Sequence, residues 1–176
     1  SGNSANPNDR ANPQPTFFAP IGTPVLAVVS GTVVNIPTLY SNDFSVMIGN
    51  NTSGAGIWEH EHVMNVRVHV GDVVTAGQHI ADVSDYECSW GRGSNPSDPL
   101  CQSRLGLVEL GLLYGGVTPE HRCPFDTAVV SPSKMDAMFA MLNSARSRIK
   151  AVLGNSVFAE STWATPQCVT LQRVQG

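Results

Sequence analysis

The chain has 176 residues, of which 41% are apolar and only 14% charged, and it carries a net charge of −4. That length suits one domain with a proper core, and the charge leaves no basic footprint for nucleic acid. Sixteen glycines and twelve prolines demand many turns and hence a β-rich body, and no apolar run approaches the length of a membrane span.

Residues 1–16 are rich in Asn and Pro and are predicted to form an extended N-terminal arm, with residues 17–176 as a single β domain. Ser1-Gly2-Asn3-Ser4 opens the chain as a trimmed mature domain is expected to. Ala19-Pro20-Ile21-Gly22-Thr23-Pro24 reads as a proline–glycine turn feeding a strand, Val25 to Val29. That strand is expected to pair with Thr32 to Ile36 across a tight reversal at Gly31. Phe44 to Ile48 and Ile57 to Val63 follow, around the Gly49-Asn50-Asn51 turn region. A second phrase parallel to the first runs from Val66 to Ala81, with strands expected at Val66 to Val70, Val73-Val74 and Gln78 to Val83. Leu107 to Tyr114 is the last core strand, and 117–130 reads as irregular. Short strands at this spacing predict a mainly β fold of antiparallel sheets arranged as a sandwich or barrel.

One helix is predicted, at about 132–153. Ser131 or Ser133 caps it, Pro132 suits its first turn, and Gly154 stops it. Met135, Met138, Phe139, Leu142, Ile149, Val152 and Leu153 recur at helical spacing, and this stripe is expected to pack on the sheet. Val157 to Gln175 reads as a loop and a short terminal strand.

The four cysteines, Cys88, Cys101, Cys123 and Cys168, form no CxxC pair, which weakens a zinc-ribbon or thioredoxin reading. Ser89 to Leu100 is too polar to order itself, so a Cys88–Cys101 bridge is predicted, with Cys123–Cys168 as the second pair. Disulfides imply a secreted, periplasmic or cell-envelope protein; the alternative is four free thiols in a cytosolic one.

The two turn–strand phrases resemble those of the lysostaphin-type zinc endopeptidases, which cut peptide bridges of the bacterial cell wall. The resemblance covers about residues 12–116 and implies a duplicated hybrid motif, a zinc cofactor and a hydrolytic site. Such a site needs three protein ligands, an open position for water, and a base. By the family's spacing from Pro20, a histidine and an aspartate are replaced here by Asn12 and Thr16. Its His-x-His element falls on Leu107-Val108-Glu109, so Leu107 replaces the catalytic histidine and Glu109 the metal-binding one. A carboxamide, a hydroxyl and a leucine cannot replace imidazole and carboxylate as ligands and base.

The remaining family histidine corresponds to His62, nine residues before Gly71, in Trp58-Glu59-His60-Glu61-His62. It is the only catalytic position retained in type, and without activated water it is expected to do no hydrolysis. Strict alternation would put Trp58, His60 and His62 on one side of the strand, forming with Glu109 a binding face for sugar or peptide. The same alternation allows a rebuilt zinc site of His60, His62 and Glu109; the plainer account of Glu59-His60-Glu61-His62 is a solvated strand face. His69, His79 and His121 read as surface residues.

Biotinyl and lipoyl carriers share such phrases but modify a hairpin lysine, and the first lysine here is Lys134. Asn51-Thr52-Ser53 matches a glycosylation acceptor, and no Gly-x-Ser-x-Gly elbow is present. The sequence therefore predicts a catalytically inactive peptidase-like domain that binds peptidoglycan or a cell-wall hydrolase, with no cofactor. Its competitors are a peptidoglycan zinc endopeptidase with shifted ligands and a purely structural secreted protein.

Overall fold

The computed structural model describes residues 14–49, 56–89, 97, 99–114, 120–122, 124, 131–134, 136, 137, 140 and 144. Asn12, Asn51-Thr52-Ser53, Cys123, Cys168, the whole helical Met stripe and the tail from Val157 lie outside them. The chain falls into two compact units, Thr16–Arg122 and Ser1–Pro15 with Cys123–Gly176.

The described residues of the first unit form nine strands: β1 (Thr16–Pro20), β2 (Pro24–Leu26), β3 (Gly31–Asn35), β4 (Phe44–Gly49), β5 (Ile57–Met64), β6 (Val73–Val74), β7 (His79–Val83), β8 (Leu105–Tyr114) and β9 (Glu120–His121). Two single-turn helices, α1 (Tyr86–Ser89) and α2 (Pro99–Gln102), lie between β7 and β8, and a Cys88–Cys101 disulfide joins them. Every strand pairing is antiparallel, and the main path runs β1-β8-β5-β4-β3-β6, with β2 on β7, β7 also on β5, and β9 on β8. This is a mainly antiparallel β fold whose described pairings do not close into a barrel. In the second unit, Pro132, Ser133, Lys134, Asp136, Ala137, Ala140 and Ser144 have helical backbone, with the Lys134 amide bonded to the Ser131 carbonyl.

The core is aliphatic. Val25, Val33, Val46, Ile48, Val63, Val74, Ile80 and Val83 pack as one cluster of β-branched side chains, the residue types that fit pleated surfaces best. Burial of this apolar area is the main driving force for the fold.

Three predicted elements differ. Val25 to Val29 does not pair with Thr32 to Ile36; β2 pairs with β7 and β3 with β4 and β6. Gly31 serves close approach rather than reversal, because a Cβ there would strike the carbonyl oxygen of Gly49 on β4. Each strand of the first phrase thus pairs with a strand of the second, in crossed order. Val66 to Val70 is not a strand, although Val68 enters the core. Glu120 and His121, placed in an irregular zone by sequence, form β9 against Tyr114 and Leu113.

Candidate functional site

Thr16 and Glu109, the two described positions that the resemblance assigns to metal ligands, are cross-strand neighbours. Thr16 on β1 lies directly opposite Glu109 on β8, and Thr16 Oγ1 donates to Glu109 Oε1 at 3.0 Å. Leu107 lies two residues away on the same side, opposite Phe18, and is buried. Hydroxyl, carboxylate and isobutyl side chains therefore share this face of β1 and β8. These residues do not fit a catalytic zinc ion. Among the described residues, no group of three or more His, Cys, Asp or Glu is placed to hold a metal.

The expected common face of Trp58, His60, His62 and Glu109 is not formed. Trp58 and His60 lie opposite Ile48 and Val46 of β4, on the core side of the sheet. Glu109 lies opposite Glu61, on the other side. Between these registers Phe44 pairs with Val63 and Val46 with His60, so Ser45 faces both Glu61 and His62. This is a β-bulge in β5, and it breaks the alternation that the sequence pattern assumes. The bulge sits where β5 exchanges one neighbour for another: Ile57 to Glu61 pair with β8, Val63 and Met64 with β7. His62, at φ +59°, takes the left-handed conformation that turns the chain there.

The alternating Glu-His-Glu-His segment is not a solvated face either. His60 is 1% exposed, and both ring nitrogens are used. Nε2 accepts from the Val28 amide at 3.2 Å, so Nδ1 carries the proton and donates to the Val46 carbonyl at 3.1 Å. Burial drives its pKa down to about 4, against the opposing effect of the Val46 bond. His60 is thus a neutral structural tie between β4 and the segment after β2, and the rebuilt His60–His62–Glu109 site is not assembled. Glu59 is buried and pairs with His121 at 2.9 Å, while His79 meets the buried Asp82 at 2.7 Å. Of the three histidines read as surface residues, only His69 lacks a buried partner.

His62 is the centre of a polar cluster that the sequence did not disclose. Its side chain is 4% exposed, and Nδ1 lies 3.1 Å from Asp43 Oδ2 and 3.3 Å from Ser41 Oγ. A carboxylate can only accept, so Nδ1 carries a proton and donates it to Asp43. Ser84 Oγ donates to Asp43 Oδ2 at 2.6 Å, and Ser41 Oγ donates to Oδ1. Burial raises the Asp43 pKa, but the bonds from His62, Ser41 and Ser84 and the charge of His62 outweigh it, so the carboxyl stays below its usual range. Tyr86 of α1 stacks on the His62 ring, with centroids 4.1 Å apart and planes at 12°. Tyr40 meets both rings edge-on, and its hydroxyl lies 2.9 Å from that of Tyr86.

Ser41 and Asp43 precede β4, and Ser84 and Tyr86 follow β7, so only the fold brings them to His62. The available sequence signal was indirect: a buried histidine requires a partner, and Ser41-Asn42-Asp43 is a turn rich in acceptors. Asp43 positions the imidazole as a base would be positioned.

Residues 15–94 match the model of a protein family described as Peptidase family M23. No curated protein matches the chain. Among solved structures, the solution structure of lysostaphin is 21% identical, with a TM-score of 0.51 over 73% of this chain and 48% of that one. LytU is 24% identical, with a TM-score of 0.50 over 70% of this chain and 78% of that one. The catalytic domain of lysostaphin, an antimicrobial peptidase from Staphylococcus simulans, is 23% identical over 62% of this chain and 74% of that one, with a TM-score of 0.46. The first two likenesses concern the fold, and the chain spans about half the length of the lysostaphin structure. Over residues 15–94 the chain is similar to peptidase family M23, and its described residues carry no cluster able to coordinate a metal.

Proposed function

We propose that this domain has kept a peptidase fold and given up metal-dependent cleavage for binding, with peptidoglycan or a cell-wall hydrolase as its partner outside the cytoplasm. The observation that carries the reading is the Thr16–Glu109 hydrogen bond with Leu107 beside it, three side chains in register with a metal centre and chemically unable to form one. The Cys88–Cys101 bridge supports an oxidising compartment. The crossed pairing of the two phrases supports the finer architecture, a duplicated hybrid motif with barrel-sandwich sheets. No described helix is long and apolar enough to cross a membrane.

Co-sedimentation with purified insoluble peptidoglycan tests the binding role, and metal analysis after equilibration with zinc tests the loss of chemistry. The expected result is retention on the sacculi with no stoichiometric zinc and no soluble fragments released. Zinc-dependent release of fragments would overturn the reading, as would absence of binding to both sacculi and cell-wall hydrolases.

A further inference from the structure

We propose that Tyr40, Tyr86 and the polar pocket beside them form a binding site for a pyranose sugar. Tyr40 is 72% exposed, and a large aromatic ring held in water gains by covering its face. The ring is not loosely placed. Its hydroxyl bonds that of Tyr86, the Tyr86 ring lies on His62, and His62 is fixed by the Asp43 carboxylate. The Tyr86 amide is tied in turn to Ser84 Oγ at 3.2 Å. An exposed ring anchored through a buried hydrogen-bonded chain is preorganised, so stacking on it costs little ordering.

Beside the tyrosines, Ser41, Asn42, Asp43, Ser84 and Asp85 line a cavity of about 340 Å³, which is in the range of small-ligand sites. Phe44 and Met64 complete its wall with apolar surface. Hydroxyl, amide and carboxylate groups next to an aromatic plane match a ring that has polar edges and C–H faces. Asn42 stands at φ +63°, a left-handed position on the pocket wall.

Two other ligand classes fit less well. A cation at Asp43 would have to displace the bonds that this carboxylate already receives from His62, Ser41 and Ser84. Those two hydroxyls spend their protons on Asp43 and keep lone pairs, which suits them to accept from a ligand hydroxyl. An extended peptide would need free backbone groups, but at this turn the Leu39 amide bonds the Asp43 carbonyl and the Asn42 amide the Leu39 carbonyl. The site rests on the proposed binding role and deepens it, because it names the chemical class of the ligand.

The test is an NMR titration of the intact protein with N,N′,N″-triacetylchitotriose, cellotriose and putrescine, for wild type, Tyr40→Ala, Tyr40→Phe and Asn42→Gly. Tyr40 is exposed, and glycine suits the Asn42 backbone, so these variants should fold. Expected are saturable shifts at Tyr40, Asn42 and Ser84 with at least one trisaccharide. Tyr40→Ala should weaken that binding about tenfold, Asn42→Gly several-fold, and Tyr40→Phe little, since the face survives. The proposal is overturned if neither trisaccharide produces saturable shifts, if Tyr40→Ala and Asn42→Gly leave affinity intact, or if putrescine alone saturates the pocket. Sacculus binding that survives Tyr40→Ala would leave the binding role standing and remove the sugar site.

Discussion

His60 should make this fold lose stability in mild acid, well before its carboxylates titrate. The imidazole is buried and neutral, its pKa lowered from 6.5 to about 4. Above pH 6.5 it is neutral in both folded and unfolded chains and adds no pH dependence. Between those two values the unfolded chain takes up a proton that the folded chain refuses, so stability falls as pH falls. At 1.36 kcal/mol per unit, the loss is about 1 kcal/mol by pH 5.5 and about 3 kcal/mol in full. Asp43 and Asp82 act in a lower window. Their folded pKa values are depressed below 3.8, so their stabilisation is complete above that value and is lost as pH falls further. Urea unfolding of wild type and His60→Gln from pH 7.5 to 4.5 isolates the effect. Glutamine offers a donor and an acceptor but no titrating proton, and the other histidines contribute equally to both proteins. The variant should be less stable at pH 7.5 and show a shallower decline towards pH 5.5. Parallel curves, or a flat wild-type curve, would refute the assignment of a buried neutral ring.

Gly31→Ala should destabilise the domain by about 3 kcal/mol, because the new methyl meets the Gly49 carbonyl and Ile48 Cγ2 with no room to yield; a urea midpoint comparison checks it. Replacing Cys88 and Cys101 together by serine should cost about 3 kcal/mol for a loop of this size and should loosen Tyr86, two residues from Cys88. Diethyl pyrocarbonate should then modify His62 several-fold faster than in the oxidised protein, followed by peptide mapping; an unchanged rate would show that the bridge does not hold Tyr86 in place.

The sequence disclosed most of the strands because β-branched runs between turn residues carry a local signal. Phe44 to Ile48 and Ile57 to Val63 reappear within a residue as β4 and β5. Pairing was less legible. Gly31 is compatible with both a reversal and a close approach, and only the position of Gly49 decides between them. The register of Thr16 against Glu109 could be anticipated from motif spacing, since both positions lie in regular strands. The surroundings of His62 could not. Its partners come from two segments 19 and 22 residues away, and an extra residue in a strand leaves no mark in a pattern of alternating Glu and His.

That extra residue also decides where β5 can change in length. Beyond the bulge, each side chain owes its side of the sheet to a shift of one position, and Val63 is fully buried only because of it. Deleting Glu61 or His62 would leave a regular two-residue step from His60 to Val63, with Val63 still opposite Phe44 on the core side, whereas an insertion there or a deletion elsewhere in the strand would turn core residues out. Single-residue deletions should therefore be accepted at Glu61 or His62 far more readily than at any other position of β5. In an alignment with a homologue whose strand is regular, the gap belongs at Glu61 or His62; placed anywhere else, it would set core residues against groove residues for the rest of the strand.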